Sequence, residues 1–326
     1  MPALTDSYGR VHRDLRISVT DRCNYRCTYC MPADGLDWLP REDLLSFEEI
    51  ERVARVCVEH HGIDSIRLTG GEPTVRHGLP ELVARLARLG VDIALTTNGS
   101  RLSALARPLA EAGLRRINIS CDSLHDGRFA AMTRRDDLPN VLAGIAAALE
   151  AGLHPVKLNV VLRRSVNDDE ALAFAEFGRA TGVTVRFIEF MPLDADGGWT
   201  SAEVVPGSEI VAAIAAVHPV EPVRRGHEPA ARWRYLDGRG EIGVIDSVTE
   251  PFCASCDRIR LTADGRLRSC LFATDEVDLR PTLRGGGDDE AIAGIVAATV
   301  AAKGPGHQIG QVAFVRPHRS MSQIGG

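Results

Sequence analysis

Long apolar runs are missing from the sequence, and no apolar segment stands at its start. The chain has 326 residues, and none of its hydrophobic runs approaches the length that spans a membrane. The first residues, MPALTDSYGR, lack the apolar core of a secretory signal. These absences predict a cytoplasmic protein, in which cysteines bind metals or catalyse reactions more often than they form disulfides.

Acidic residues outnumber basic ones, and lysine is nearly absent. The net charge is −6, which argues against a nucleic-acid-binding protein because such proteins usually carry a basic face. Of the 38 basic residues, only Lys157 and Lys303 are lysines. A local cluster of arginines can still bind a small anion in an acidic protein, so anionic small molecules remain candidate ligands.

Six strand-like segments alternate with helical patterns over the first two thirds of the chain. These segments are residues 15–20, 65–70, 92–98, 116–121, 156–162 and 183–190. Such alternation predicts a parallel sheet that curls into a partial or complete barrel, with a flat doubly wound sheet as the alternative. The predicted fold class is therefore α/β, a partial (β/α)6 barrel followed by a C-terminal α+β annex.

The annex has shorter elements than the barrel. Its strand candidates are residues 232–236, 241–246, 258–262 and 266–272, and an alanine-rich helix is predicted over residues 289–302. We place the barrel core at residues 1–206 and the annex at residues 207–326. No low-complexity linker separates the two, so we expect the annex to pack against the barrel.

Three cysteines, Cys23, Cys27 and Cys30, stand close together in the segment CNYRCTYC after the first strand. Clustered thiolates suit an iron–sulfur cluster or zinc. Three ligands on a four-iron cluster leave one iron open to a small chelating molecule. The alternative is a structural zinc with a distant fourth ligand, such as His12.

Further polar groups stand where the later strands end. Because functional groups of parallel β/α barrels collect at the C-terminal ends of the strands, we expect all of them to face one rim. They are residues 70–73 (GGEP), residues 96–99 (TTNG), Ser120, Lys157, Asn159, Glu189 and Met191. Four arginines away from this rim, Arg115, Arg116, Arg134 and Arg135, are predicted to be surface charge.

A second group of three cysteines, Cys253, Cys256 and Cys270, lies in the annex and is again one thiol short of four. The spacing alone also fits a zinc ribbon that lacks one ligand. Cys57 falls on the apolar face of a helix and is predicted to be a small buried residue.

The first cysteine group, followed by GGEP, resembles the radical S-adenosylmethionine (SAM) superfamily. The resemblance implies that Cys23, Cys27 and Cys30 are catalytic and hold a [4Fe-4S] cluster whose open iron binds SAM. It also implies that an electron from this cluster cleaves SAM to a 5′-deoxyadenosyl radical. The residues that match SAM contacts of the superfamily are Tyr29, Gly71, Ser120 and Met191. Met191 alone would be interpreted as core packing.

With the second cysteine group, the chain resembles the GTP 3′,8-cyclases of molybdenum cofactor biosynthesis. The motifs DRCNYRCTYCMP, RLTGGEP, LTTNG, INISCDSL, VKLNVVL, RFIEFM and the terminal IGG carry this resemblance. It implies a second [4Fe-4S] cluster on Cys253, Cys256 and Cys270 that faces guanine. It also implies conversion of GTP to 3′,8-cyclo-7,8-dihydro-GTP and entry of the tail, Ile324 to Gly326, into the active site. The positions that match GTP contacts are Arg16, Arg67, Thr96, Lys157, Arg258, Ile259 and Arg260.

The same resemblance implies three partners besides GTP and SAM. They are an unidentified electron donor, the downstream cyclic pyranopterin monophosphate synthase and a second copy of the chain in a homodimer. Two other functions stay open on the sequence. One is a two-cluster radical SAM enzyme that modifies a peptide, and the other is a zinc-stabilised interaction protein without catalysis.

Overall fold

Six parallel strands in chain order form the centre of the fold. The computed structural model describes residues 3–194 and 197–325. The six strands are β1 (Asp14–Ser18), β2 (Ser65–Thr69), β3 (Asp92–Thr97), β4 (Arg116–Ser120), β5 (Val156–Leu162) and β6 (Thr184–Glu189). Every neighbouring pair is parallel, so all C-terminal strand ends meet at one edge of the sheet. The predicted α/β class is confirmed.

Helices connect these strands. They are α1 (Phe47–His61), α2 (Leu79–Ala87), α3 (Leu102–Glu111), α4 (Asp126–Thr133), α5 (Leu138–Glu150) and α6 (Ala171–Thr181). Helix α1 begins at a capping box formed by Ser46 and Glu49 and ends at Gly62, whose φ of 69° is left-handed. Its apolar face is buried and includes Cys57, which confirms the prediction for that residue.

The annex extends the central sheet at both edges. Its elements are α7 (Gly207–Ala215), β7 (Val220–Val223), β8 (Ala231–Tyr235), β9 (Glu241–Ile245), β10 (Arg258–Leu261), β11 (Arg266–Arg268), β12 (Val277–Asp278), α8 (Arg280–Arg284), α9 (Asp289–Ala301) and α10 (Met321–Ile324). Strand β10 pairs in parallel with β1, and β9 pairs in parallel with β6. The remaining annex strands continue outward from these two in antiparallel pairs.

The sheet is open, which makes the barrel partial. In the described residues its strand order runs from β12 through β1–β6 to β7, and these two end strands do not pair with each other. The sequence patterns did not predict α4, α8, α10, β7 or β12. These are short elements of two to eight residues, too short for a periodic apolar pattern. No helix in the described residues is long and apolar enough to cross a membrane. The boundary at residues 206 and 207 stays a prediction.

Candidate active site

One cavity at the C-terminal ends of the parallel strands collects most of the predicted site residues. All six cysteines of the two triplets line it. The predicted ligand contacts that line it are Tyr29, Gly71, Ser120, Met191, Arg16, Arg67, Thr96, Arg258 and Arg260. Both triplets therefore face one cavity. Of the groups expected at one rim, those that line it are Gly70, Gly71, Glu72, Thr96, Thr97, Asn98, Ser120, Asn159 and Met191.

Three side chains predicted for the site, those of Ile259, Glu189 and Lys157, do not line this cavity. The Ile259 side chain is 2% exposed in the core, because it alternates along β10 with Arg258 and Arg260, which point the other way. Glu189 is buried and accepts hydrogen bonds from the backbone N–H groups of Val248 and Thr249, so it holds a loop. Lys157 is half-buried on the face of β5 that also carries Asn159.

Paired side chains fix the N-terminal cysteine segment, residues 21–31. The hydroxyl of Tyr25 donates to Asp137 at 2.6 Å, and that of Tyr29 donates to Asp122 at 2.5 Å. The side-chain amide of Asn24 donates to Ser100 at 2.9 Å. The cysteine segment has no regular secondary structure, and contacts with strand ends and with the start of helix α5 hold it. These contacts fix the positions of its three thiols independently of a cluster.

Arg134 and Arg135 also hold the cysteine segment; Arg135 is exposed as predicted, whereas Arg134 is half-buried and the prediction that it is surface charge was wrong. Arg134 Nη1 donates to the carbonyl oxygens of Arg26 and Met31 at 2.9 and 3.1 Å. Arg135 Nε donates to the carbonyl oxygen of Asn24 at 3.0 Å. No sequence pattern indicated these contacts, because the short helix α4 that brings the arginines there was not predicted.

The GGEP turn packs directly against the cysteine segment. A Cβ atom at Gly71 would lie 2.4 and 2.5 Å from the carbonyl oxygens of Asp21 and Arg22. The glycine therefore admits the backbone of the cysteine segment, whereas we expected it to make room for a ligand. Glu72 is buried and accepts from Thr97 Oγ1 and from the backbone N–H of Asn98, so it joins the ends of β2 and β3.

Three arginines form a row across neighbouring strands of the sheet. In the strand register, Arg260 on β10 lies opposite Arg16 on β1, and Arg16 lies opposite Arg67 on β2. Burial lowers the pKa of Arg16 well below its usual range, and the charges of Arg260 and Arg67 lower it further. The carboxylate of Asp14, whose Oδ2 lies 3.5 Å from Arg16 Nε, compensates part of this positive charge.

The arginine row has donors left for a ligand. Among the described residues, the buried Nε of Arg67 has no hydrogen-bond partner. Burial lowers the pKa of Arg260 to about 10, and Arg258 contributes to that shift. Because an anion would relieve both the repulsion and the unmade hydrogen bond, the row fits a polyanionic ligand.

Arg186 on β6 is a further cation in the cavity, and the sequence analysis did not single it out. Its guanidinium donates to the amide oxygens of Asn118 and Asn159 at 2.8 and 2.6 Å, and neither partner carries a negative charge. Burial and Arg67 lower its pKa to about 9. The signal was available, because Arg186 is a charged residue inside an otherwise apolar strand segment.

Lys157 lies in the same cationic environment. Burial lowers its pKa to about 8, and the charge of Arg186 acts in the same direction. A lysine with this pKa is only partly protonated just above neutral pH. An anion beside it would favour the ammonium form.

The C-terminal triplet has basic neighbours. Burial raises the pKa of Cys256, but the charges of Arg258 and Lys303 outweigh burial and lower it to about 7. His12, considered as a distant zinc ligand, is instead buried beside Lys303, with 2.8 Å between His12 Nε2 and Lys303 Nζ. Phe252 lines the cavity with its ring 5.0 Å from the guanidinium carbon of Arg258.

The donor set fits two iron–sulfur clusters. All six thiols are free and half-buried, and burial raises the pKa of Cys23 to about 11 and that of Cys30 to about 12. In residues 3–194 and 197–325, no group of three His, Cys, Asp or Glu side chains could hold one metal ion. The thiolates of a four-iron cluster bind different irons and need not converge on one point.

The C-terminal tail reaches the arginine row. Gly325 is buried, and its carbonyl oxygen accepts a hydrogen bond of 2.6 Å from Arg260 Nη1. A Cβ atom there would lie 2.4 Å from Thr69 Oγ1 at the end of β2, so only glycine fits. Met321 and Ser322 line the cavity and Gly325 contacts Arg260, but Gly326 lies outside the described residues, so entry of the tail's end into the active site stays a prediction.

Two family models match the chain. The model of the radical SAM superfamily matches residues 17–178, and the model named Molybdenum Cofactor Synthesis C matches residues 183–309. The first match contains the N-terminal cysteine triplet, and the second contains the C-terminal one.

Relatives match nearly the whole chain. A protein of Mycobacterium sp. (strain KMS) named GTP 3′,8-cyclase is 49% identical over 327 aligned residues, which cover 99% of this chain and 93% of the relative. A GTP 3′,8-cyclase of Corynebacterium glutamicum is 46% identical and covers 99% of this chain and 89% of the relative.

Among solved structures, Streptococcus suis SuiB bound to S-adenosylmethionine is similar in fold. The TM-score is 0.61 at 13% identity, and the match covers 87% of this chain and 68% of SuiB. At this identity the likeness shows the fold alone and gives no support to a peptide substrate.

Proposed function

Because the chain belongs to the GTP 3′,8-cyclases, a radical SAM family of molybdenum cofactor biosynthesis, we propose that the cavity at the strand ends holds two clusters, SAM and GTP together. With SAM and two [4Fe-4S] clusters, the enzyme converts GTP to 3′,8-cyclo-7,8-dihydro-GTP. The observation that carries the proposal is that both cysteine triplets and the arginine row line the same cavity.

Residues of the barrel hold the first cluster and SAM in this proposal. Cys23, Cys27 and Cys30 ligate three irons and leave the fourth open to SAM. When bound, this cluster and SAM supply the carbon radical that abstracts a hydrogen atom from the ribose. The side chains we assign to SAM are Tyr29, Ser120 and Met191, with the backbone of Gly71. The hydrogen bond from Tyr29 to Asp122 fixes the tyrosine ring before SAM arrives.

The cations bind the triphosphate in this proposal. Guanidinium groups donate two parallel hydrogen bonds to phosphate oxygens, and the row of Arg16, Arg67 and Arg260 offers such donors side by side. We add Arg186 to this set because its buried guanidinium donates to neutral amide oxygens. Lys157 contributes a compact ammonium beside it, and Thr96 contributes a hydroxyl from β3.

The C-terminal triplet binds the guanine end of the substrate in this proposal. Cys253, Cys256 and Cys270 hold the second cluster, whose open iron faces the base. The Arg258 side chain is hydrogen-bonded to Cys256 and its charge acts on Arg260, so it can contact either end of GTP. Because the Ile259 side chain is in the core, only its backbone is available to the substrate.

We also propose the partners and the location that the family implies. An electron donor must reduce the N-terminal cluster, and cyclic pyranopterin monophosphate synthase uses the product. A homodimer and a cytoplasmic location complete this proposal.

Anaerobic reconstitution tests the proposal. We expect about eight irons per chain, four for each triplet. With GTP, SAM and dithionite, mass spectrometry should detect 5′-deoxyadenosine and cyclised GTP together. Cys57→Ala is the matched control, because Cys57 is buried in α1 away from both triplets, and its product yield should match the wild type. Stoichiometric zinc in place of either cluster, or 5′-deoxyadenosine without any nucleotide product, contradicts the proposal.

A further inference from the structure

Lys303, which follows helix α9, is buried beside the C-terminal cysteine triplet. Its side chain is 3% exposed. The Nζ atom lies 2.8 Å from His12 Nε2, 2.9 Å from the carbonyl oxygen of Arg258 and 3.4 Å from Cys256 Sγ. An ammonium group has three hydrogens, and these three neighbours lie within hydrogen-bonding distance of it.

The tautomer of His12 follows from its two contacts. His12 is fully buried, and its Nδ1 lies 3.1 Å from the carbonyl oxygen of Arg10, which can only accept. The proton is therefore on Nδ1, and Nε2 presents a lone pair to Lys303. Because His12 and the Arg258 carbonyl each accept one hydrogen, the third hydrogen of the ammonium is left for Cys256, whose Sγ at 3.4 Å is closer than its carbonyl oxygen at 3.5 Å.

Arg10 fixes the same region from a second side. Its Nη1 donates to the carbonyl oxygens of Cys253 and Pro305 at 2.9 and 2.8 Å, and its Nη2 donates to Gly304 at 2.6 Å. Asp6 accepts from Arg10 Nε at 2.5 Å and completes the arrangement. Asp6, Arg10 and His12, which we call the N-terminal clasp, thus hold both the cysteine turn and the segment that carries Lys303.

We propose that Lys303 is a positioning residue that makes the C-terminal cluster easier to reduce by donating a hydrogen bond to Cys256. Hydrogen bonds to the sulfurs and local net charge set the reduction potential of such clusters. A fixed cation beside a thiolate stabilises the reduced state, which carries one more negative charge. The inference rests on the proposed assignment of the C-terminal triplet to a cluster.

The choice of lysine supports this role. The chain uses arginine at 36 of its 38 basic positions, and Lys303 is one of the two exceptions. A compact ammonium can direct three hydrogens to three acceptors around a point, whereas a planar guanidinium cannot. The site therefore requires a lysine for geometric reasons.

The test measures the potential of the C-terminal cluster alone. Full-length chain with Cys23→Ala, Cys27→Ala and Cys30→Ala lacks the other cluster, and Lys303→Met is added to it. After reconstitution, a redox titration followed by electron paramagnetic resonance gives the potential. We expect the ratio of reduced to oxidised cluster at a fixed potential to fall about tenfold, a shift of ~59 mV to lower potential.

Two further variants keep the test decisive. Arg55→Met removes a positive charge that contacts Asp289, at the opposite end of α9, and should leave the potential unchanged. If Lys303→Met does not fold by circular dichroism, Lys303→Gln is measured and the same direction of shift is expected. An unchanged potential in the folded Lys303 variant overturns the inference. Absence of any cluster in the triple alanine background overturns the triplet assignment itself, and the inference with it.

Discussion

Arg16, Arg67 and Arg260 lie side by side, and the carboxylate of Asp14 compensates them only in part. Burial and the charges of its two arginine neighbours lower the pKa of Arg16, and the repulsion is relieved when an anion arrives. Residues that are poorly paired in the free enzyme are expected in a substrate site, because the unmade interactions become binding energy. The arginine row therefore has the properties expected of residues that bind a triphosphate.

If Lys157 binds the triphosphate as proposed, GTP binding depends on pH. Burial lowers its pKa to about 8, so the ammonium is present below this pH and is lost as the pH rises through it. The triphosphate needs the ammonium, and we expect GTP affinity to fall about tenfold between pH 7 and pH 9. Isothermal calorimetry with anaerobic protein measures the affinity.

Lys157→Arg is the matched variant for this prediction. A guanidinium stays charged over this range, so the fall in affinity should disappear. The variant should also turn over GTP more slowly, since the larger planar group does not fit the place of a compact ammonium. A wild-type rate in the variant would show that the site does not need a compact ammonium, and the same pH dependence in both proteins would show that Lys157 is not its cause.

At the scale of the element, strand ends carry most of the site, and this part of it was predictable from sequence. The alternation of strands and helices located β1 to β6 to within two residues at each end. Since parallel strands share one C-terminal edge, Thr96 and Ser120 were expected beside the cysteines, and they line the same cavity.

Pairings between distant segments were not predictable. Arg260 lies opposite Arg16 because β10 pairs with β1, and no local pattern near either residue indicates this partner. Arg134 and Arg135 hold the cysteine segment through the eight-residue helix α4, which is too short to leave a periodic signal. Contacts of this kind depend on tertiary packing and not on local propensity.

The C-terminal tail is an element whose role can be tested by truncation. Helix α10 brings Gly325 to Arg260, and the space beside Thr69 admits no Cβ atom. Deletion of Gly325 and Gly326 frees Arg260 from this interaction, so we expect the rate of cyclisation to fall by at least about a hundredfold, as for a misplaced binding group.

The fold and both clusters of the truncated chain should be intact, which circular dichroism and iron analysis check. A second variant, Gly325→Ala with Gly326 retained, tests the close approach to Thr69 separately. It should also lose most activity. Unchanged turnover after the deletion would mean that the hydrogen bond between the tail and Arg260 is not needed for catalysis.

At the scale of the whole molecule, the annex completes the barrel's site from both edges. β10 brings Arg258 and Arg260 beside β1, while β9 extends the sheet beyond β6. The N-terminal clasp contacts residues 303–305, so segments far apart in the sequence meet beside the C-terminal triplet. One cavity can therefore hold two clusters although their cysteines lie in opposite parts of the sequence.

The central claim is that the two triplets share a cavity but have different tasks, and Cys270→Ser tests it. SAM cleavage depends on the N-terminal triplet, so the variant should still release 5′-deoxyadenosine. Productive binding of guanine depends on the C-terminal cluster, so cyclised GTP should fall far more. A serine oxygen that keeps a weakened cluster would leave a partial defect in the same direction.

The measurement is the ratio of cyclised GTP to 5′-deoxyadenosine in one anaerobic reaction with GTP, SAM and dithionite. Circular dichroism confirms the fold, and Cys57→Ala serves as the cysteine control with the wild-type ratio. We expect the ratio to fall at least about tenfold in Cys270→Ser, which corresponds to a loss of about 1.4 kcal/mol in productive binding when one ligand of the C-terminal cluster is replaced. A folded Cys270→Ser variant that makes cyclised GTP at the normal rate would contradict the account.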